Sequence, residues 1–158
     1  MNTRASWQML PMFYGDEHRE LGAHAEASLK ADDTALHDPK RVIPRLGELG
    51  FCKLLAPQSG KPVSVRSLCV AREAIAYDSP LADSIFAVQG LGSHPIILAG
   101  EAEKRASIMA EVVHGKRVCA FALTEPDAGS DVAAMKSVAR KEGEHWILDG
   151  EKGFISNV

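Results

Sequence analysis

The densest cluster of small polar donors lies in Cys119-Ala-Phe-Ala-Leu-Thr-Glu-Pro-Asp-Ala-Gly-Ser-Asp131, an apolar run that ends in a Thr/Gly/Ser turn. At the end of such a run Leu123 and Thr124 can present successive backbone N–H groups and one hydroxyl. Gly129 allows close backbone approach and Ser130 adds a second hydroxyl, a set suited to the oxygens of a pyrophosphate. Asp131 is placed to cap the short turn that follows. A second segment, Asp149-Gly-Glu-Lys-Gly-Phe-Ile-Ser-Asn-Val158, offers an Asp-Gly turn, an aromatic ring at Phe154 and a hydroxyl at Ser156. Spacing alone favours a polar loop of ordinary turn chemistry, because Pro, Asp, Gly and Ser fill many loops. By the same standard Phe154 alone reads as a core aromatic in a strand.

Other chemistries find less support. His18, His24, His37, His94, His114 and His145 are scattered, and none pairs with another His or Cys at a zinc-like spacing, so no metal site is expected. No Gly-x-Ser-x-Gly elbow is present. Gly90-Leu-Gly92 is too short and wrongly placed for a dinucleotide fingerprint. Glu101, Glu103, Lys104 and Arg105 read as a solvated helix face. Cys119, inside an apolar run, reads as packing rather than as a nucleophile.

The elements that must position these groups fall into two compositional halves. From Asp16 to about Gly115 the apolar period is helical. Asp16 is expected to cap a helix carrying Leu21, Ala25 and Leu29. Asp38-Pro39 opens a second, with Val42, Ile43, Leu46 and Leu49 on one face before Gly50 stops it. Ser64 opens a third, with Leu68, Cys69, Ile75 and Ala76 on one side. Ser79-Pro80 opens a fourth, with Leu81, Ile85 and Val88 inward, broken at Gly90 and Gly92. Ser93 to Ala99 is then a short apolar segment buried on every side, and Glu101 to Val113 is the last helix, with Gly115 past its end.

After Gly115 the period changes. Arg117 to Leu123 is expected to form a buried strand. Lys136 to Arg140 and His145 to Leu148 form two more, joined by Lys141-Glu-Gly-Glu144. Asp149-Gly150 is expected to make a type I′ turn, with Gly153 to Asn157 pairing back as the next strand. The fold class is therefore α+β: an all-α domain over residues 1–115, then the first strands of a β-barrel-like domain over 116–158. Such a sheet would expose an unpaired edge, so Val158 is not expected to be a natural domain end.

The 158 residues carry a net charge of −3, with 46% apolar and 25% charged residues. That balance is globular and argues against nucleic acid or anionic lipid as partner, and in favour of a small molecule. No membrane span, secretory signal or transit peptide is read. Cys52, Cys69 and Cys119 are odd in number, widely spaced and set among apolar residues. They are expected to be reduced and buried, in a cytoplasmic protein.

Phe121-x-Leu-Thr-Glu-Pro-x-Ala-Gly-Ser-Asp131 resembles the flavin-binding signature of acyl-CoA dehydrogenases over eleven consecutive positions. Phe154-Ile-Ser156 occupies the place of the family's Trp-Ile-Thr, with Phe for Trp and Ser for Thr; a ring and a hydroxyl remain, with less contact area and a freer hydroxyl. Leu91-Gly-Ser-His-Pro-Ile-Ile-Leu-Ala-Gly100 is similar to the family's segment before the last helix of its N-terminal domain. The resemblance is strong from Gly90 to Asn157 and weak before it.

It implies FAD as cofactor, contacted by Phe121, Leu123, Thr124, Gly129, Ser130, Phe154, Ile155 and Ser156, with Ser130 also meeting the acyl-CoA. Residues Leu81 to Gln89 would wall part of an acyl-chain cavity. The implied reaction is α,β-dehydrogenation of an acyl-CoA to a trans-2-enoyl-CoA, with hydride to flavin N5, in fatty acid metabolism. The implied partners are electron-transfer flavoprotein and further copies in a homo-oligomer. The family's catalytic glutamate comes from a C-terminal helical domain with no counterpart in these residues. Glu125 matches a motif position and not that base, so this chain alone is expected to be inactive. The alternatives are a non-catalytic interaction module that keeps flavin-site residues as relics, and an acyl-CoA oxidase or related flavin oxygenase of the same fold.

Overall fold

The computed structural model describes residues 5–30, 32–57 and 62–157. Helices α1 (Ser6–Met9), α2 (Asp16–Ser28), α3 (Val42–Glu48), α4 (Val65–Asp78), α5 (Pro80–Ala99) and α6 (Ala102–Val112) precede an antiparallel pair, β1 (Val138–Glu142) and β2 (His145–Asp149). Short 3-10 turns at Thr34–His37 and Phe51–Leu55 flank α3. The core sits between α2, α3, α4 and α5, where Leu36, Val42, Ile43, Leu46, Phe51, Ile75 and Phe86 are essentially inaccessible. Burying each such side chain stabilises the fold by about 1.5–3 kcal/mol.

Local caps place the helices. Ser64 accepts from the Ser67 amide at 3.2 Å, and Ser79 from the Ala82 amide at 3.2 Å. The Ser79 hydroxyl also donates to the Leu36 carbonyl at 2.6 Å, and Arg72 grips Asp83 with two 2.7 Å bonds, so the start of α5 is tied to its neighbours. Asp16 is the first helical residue of α2, not its cap. Gly15 holds that place, and its amide donates to His18 Nδ1 at 3.2 Å.

The expected break at Gly90 and Gly92 does not occur: α5 runs unbroken from Pro80 to Ala99. Gly92 serves a contact rather than a stop, because a Cβ there would lie 2.6 Å from the Ala120 carbonyl oxygen. Ser93 to Ala99 is correspondingly a helix end and not an all-buried segment. Ser93 is buried, but His94, Pro95 and Ala99 are exposed and Leu98 is 72% exposed. The inward face is Ala82, Phe86, Gln89 and Ser93, one step around from the expected stripe, and Leu81 is 40% exposed.

Arg117 to Leu123 joins no ladder among the described residues, and Arg117 itself lies in a bend. Its hydrogen bonds go to side chains. Gln89, wholly buried, donates through Nε2 to the Arg117 carbonyl and accepts through Oε1 from the Cys119 amide, each at 2.7 Å. Asn157 Nδ2 donates to the Cys119 carbonyl at 3.3 Å and the Ile85 carbonyl at 3.1 Å. A carboxamide side chain presents an N–H donor and a C=O acceptor side by side as a peptide group does, so Gln89 stands in for a neighbouring strand.

The β1–β2 hairpin forms close to its expected place, with Val138 opposite Asp149, Glu142 opposite His145, and Gly143 at φ +62° in the turn. Asp149-Gly150 does not make a second hairpin, and Gly153 to Asn157 is not a strand. Phe154 and Asn157 sit at φ +57° and +66°, outside the range of extended chain. Gly150, at φ +155°, packs so closely on Ser137 that a Cβ would come within 2.1 Å of its hydroxyl, and the chain turns away toward Thr124.

Cys52 and Cys119 are buried but Cys69 is exposed on α4, contrary to the expectation for all three. Burial pushes the Cys52 thiol up to about 12 and raises that of Cys119. Because the thiolate is the reactive form, an aromatic disulfide reagent should titrate Cys69 rapidly in the native chain and the other two only after denaturation. Rapid reaction of all three would contradict this packing.

Candidate functional site

The two donor-bearing segments meet. The Gly153 amide donates to the Thr124 carbonyl at 2.9 Å, and Lys152 Nζ donates to the Leu123 carbonyl at 3.1 Å. Next to this junction lies the Glu125 carboxylate, only 5% exposed, which accepts from Lys152 Nζ at 2.7 Å, the Lys136 amide at 2.6 Å and the Ser137 amide at 3.0 Å. A pair of backbone bonds between Glu125 and Ala128 closes the turn through Pro126 and Asp127. Asp131 caps the following 3-10 turn, accepting from the Ala133 amide at 3.2 Å, as its position predicts.

The carbonyls of Leu123 and Thr124 are thus occupied. Among the described residues their amides donate to no protein group, and the Thr124 hydroxyl is equally unengaged. Phe121, Leu123 and Thr124 are half-buried, while Gly129 and Ser130 are exposed. Ile155 is half-buried and Ser156 exposed. Phe154 is neither in a strand nor in the core: its ring is 98% exposed, on a backbone in the left-handed region. A bulky side chain at positive φ costs about 1–2 kcal/mol, and an aromatic ring standing in water forgoes its burial.

An open cleft of about 300 Å³ is lined by Glu125 together with Pro126, Asp127, Lys136, Ser137, Asp149 and Gly150 among others. None of the eight residues named from the motifs lines it. The buried Glu125–Lys152 pair and the Gln89 and Asn157 clamps were not singled out by sequence reasoning. Lys152 sits between the turn and the ring, so its charge opposite Glu125 was the available signal.

Lys152 foremost, then hydrogen bonds from Ser137 and the Lys136 amide, hold the Glu125 carboxyl down at about 2. A group whose folded pKa is depressed stabilises the fold fully above its unfolded pKa and loses that contribution as pH falls toward the folded one. The stability difference between the native chain and Glu125→Gln should therefore be constant above about pH 5 and shrink between about pH 4.5 and 2. Chemical denaturation of both chains across that range measures it; a difference independent of pH would show that the carboxylate is not held by these donors.

Comparison with known proteins agrees with the architecture. The family described as acyl-CoA dehydrogenase, N-terminal domain, matches residues 18–116, and its middle domain matches residues 120–158. A 3-(aryl)acrylate reductase of Clostridium sporogenes is 31% identical over 158 aligned positions, covering 93% of this chain and 42% of that protein. A probable acyl-CoA dehydrogenase of Mycobacterium tuberculosis is 30% identical over 141, covering 88% and 35%. The chain thus spans about two fifths of the length of the curated relatives it matches. Among solved structures, an acyl-CoA dehydrogenase complexed with FAD from Bacillus anthracis superposes with a TM-score of 0.74 at 26% identity, over 93% of this chain and 28% of that one. A chain from the electron transferring flavoprotein structure of Acidaminococcus fermentans gives 0.71 at 26%, over 90% and 40%. Helical packing, the exposed hairpin and both motif segments fall within matched regions, and the chain belongs to the acyl-CoA dehydrogenase family.

Proposed function

We propose that this chain forms the N-terminal helical part, over residues 1–115, and the opening of the flavin-facing part, over 116–158, of an FAD-dependent acyl-CoA dehydrogenase. The reaction proposed for the whole protein is α,β-dehydrogenation of an acyl-CoA to a trans-2-enoyl-CoA in fatty acid metabolism. The observation that carries this reading is the convergence of Leu123-Thr124 on Lys152-Gly153, which leaves two successive amides and a hydroxyl unengaged beside the Phe154–Ser156 segment.

The donor set fits a flavin. A reduced isoalloxazine gathers negative charge at N1 and the C2 carbonyl, and amide and hydroxyl donors in a fixed array stabilise it. Leu123 and Thr124 would supply those donors, with the Phe121 side chain bordering the ring and Ser156 offering a hydroxyl near it. Gly129 and Ser130 would meet the pyrophosphate or ribityl oxygens, Ser130 also facing the thioester substrate. Phe154 and Ile155 would cover one face of the ring. When bound, the flavin would accept the hydride that leaves the substrate β carbon. The proton on the α carbon needs a base on the opposite side. Glu125 is unsuited to that task, since its carboxylate is enclosed by three donors and held at about 2. The base belongs to a part of the whole protein outside these residues.

The remaining readings are those of the family: electron-transfer flavoprotein as acceptor, a homo-oligomer, and a cytoplasmic setting. No helix among the described residues is long and apolar enough to cross a membrane. The relation to an arylacrylate reductase supports a second reading, in which the same site works in the reductive direction on an α,β-unsaturated substrate. Purified chain should take up FAD weakly and show no acceptor reduction with acyl-CoAs of any length. Clear turnover would place the base within the chain and overturn this assignment, and absence of any flavin binding would favour a non-catalytic module.

A further inference from the structure

We infer that Glu125 and Lys152 are positioning residues, a buried latch that holds the Leu123-Thr124 donors against the Phe154–Ser156 segment. The inference rests on the flavin reading of that site and adds residues that the motif comparison does not assign a role.

The geometry is that of a closed node. Both Glu125 oxygens are used: one accepts from Lys152 Nζ and the Ser137 amide, the other from the Lys136 amide. Lys152 Nζ reaches the Leu123 carbonyl at 3.1 Å, Glu125 at 2.7 Å and Met135 Sδ at 3.6 Å, which matches the three protons of an ammonium. The node therefore joins the end of the 117–124 segment, the start of β1 and the chain after β2. The β1–β2 ladder, with Val138 opposite Asp149, links the last two of these stretches, but it does not include the first. With no ladder between the 117–124 segment and the hairpin, the placement of Thr124 against Ser156 rests on the Gly153–Thr124 bond, on the Asn157 bonds to the Cys119 and Ile85 carbonyls, and on this ion pair.

Burial makes the pair consequential. The two side chains are 5% and 27% exposed, so removing one partner strands a charge away from water. Exposed pairs elsewhere, such as Lys136–Asp127 at 75% and 70% exposure, carry no such penalty. The latch acts through the Leu123 carbonyl and the Gly153 amide next to it.

The test compares the 158-residue chain with Lys152→Met and Lys152→Arg, titrated with FAD and followed by flavin absorbance and by amide exchange at Gly153. Methionine keeps the stem but supplies no donor, whereas arginine can still bridge Glu125 and the Leu123 carbonyl. Lys152→Met should weaken FAD binding about tenfold or more, the scale on which supporting residues act at other sites. It should also lose protection at Gly153. Lys152→Arg should restore most of both. If the native chain binds FAD and Lys152→Met binds it equally well, the latch is not a positioning device and the flavin reading stands. Equal loss in Lys152→Arg and Lys152→Met would likewise overturn it. If the native chain binds no FAD at millimolar concentration, the flavin reading fails and the latch's role falls with it.

Discussion

Replacing Gln89 with leucine is expected to destabilise the fold by about 1–2 kcal/mol, chiefly from the buried Cys119 amide left without its acceptor at ~1–3 kcal/mol, with a smaller loss at the part-buried Arg117 carbonyl, less the gain from burying a leucine. The Arg117 carbonyl and Cys119 amide have Gln89 as the partner that satisfies them, and the Cys119 amide is buried, so water cannot replace Gln89 there without opening the seam between α5 and the 117–123 segment. Urea denaturation of the two chains measures the difference. Gln89→Glu provides the control of mechanism. A carboxylate there keeps the acceptor for Cys119 but faces the Arg117 carbonyl with no donor, so this variant should regain stability as pH falls and the acid proton returns. A Gln89→Leu chain as stable as the native one would mean that the segment is not held as described.

Gly92→Ala should destabilise the chain by about 2–3 kcal/mol, the cost of forced overpacking. The sign is the informative part. Helix propensity alone predicts a gain of about 1 kcal/mol, because alanine replaces glycine inside a helix. The structure predicts a loss, because the new Cβ would stand 2.6–2.9 Å from the Ala120 carbonyl oxygen, carbonyl carbon and amide nitrogen. Backbone atoms cannot rotate away as a side chain would, so α5 and the 119–121 stretch must separate, and the Gln89 clamp loosens with them. Thermal unfolding of the variant settles the sign; stabilisation would indicate that no close approach exists at that point.

These two residues also show why some of the fold was legible in sequence and some was not. The starts of α4 and α5 were readable because Ser64 and Ser79 act within three residues of themselves. The stops at Gly50 and Gly115 are equally local, with φ of +87° and +66°. Gly92 has the same local signature as a breaker, and only the distant Ala120 backbone gives it another role. An apolar extended run such as Arg117–Leu123 looks the same whether a strand or a glutamine side chain satisfies its amides. Asp149-Gly150 carries strong turn chemistry, yet Gly150 packs on Ser137 and the chain leaves for Thr124. At the candidate site, the donor-bearing residues were named from their motif, but the Glu125–Lys152 node that joins the two segments depends on a pairing across separate stretches of chain. Residue spacing does not encode that pairing, which arises only when the folded chain brings the two stretches together.

The 123–130 and 154–156 segments are expected to face one flavin. Isotope-labelled chain titrated with FAD and followed by amide and methyl NMR tests it most directly. The Leu123, Thr124, Ile155 and Ser156 signals should shift together along one binding curve, with flavin-to-Phe154 ring contacts in the complex. Shifts confined to one segment, or gathered instead at the cleft lined by Asp127, Lys136 and Asp149, would contradict it.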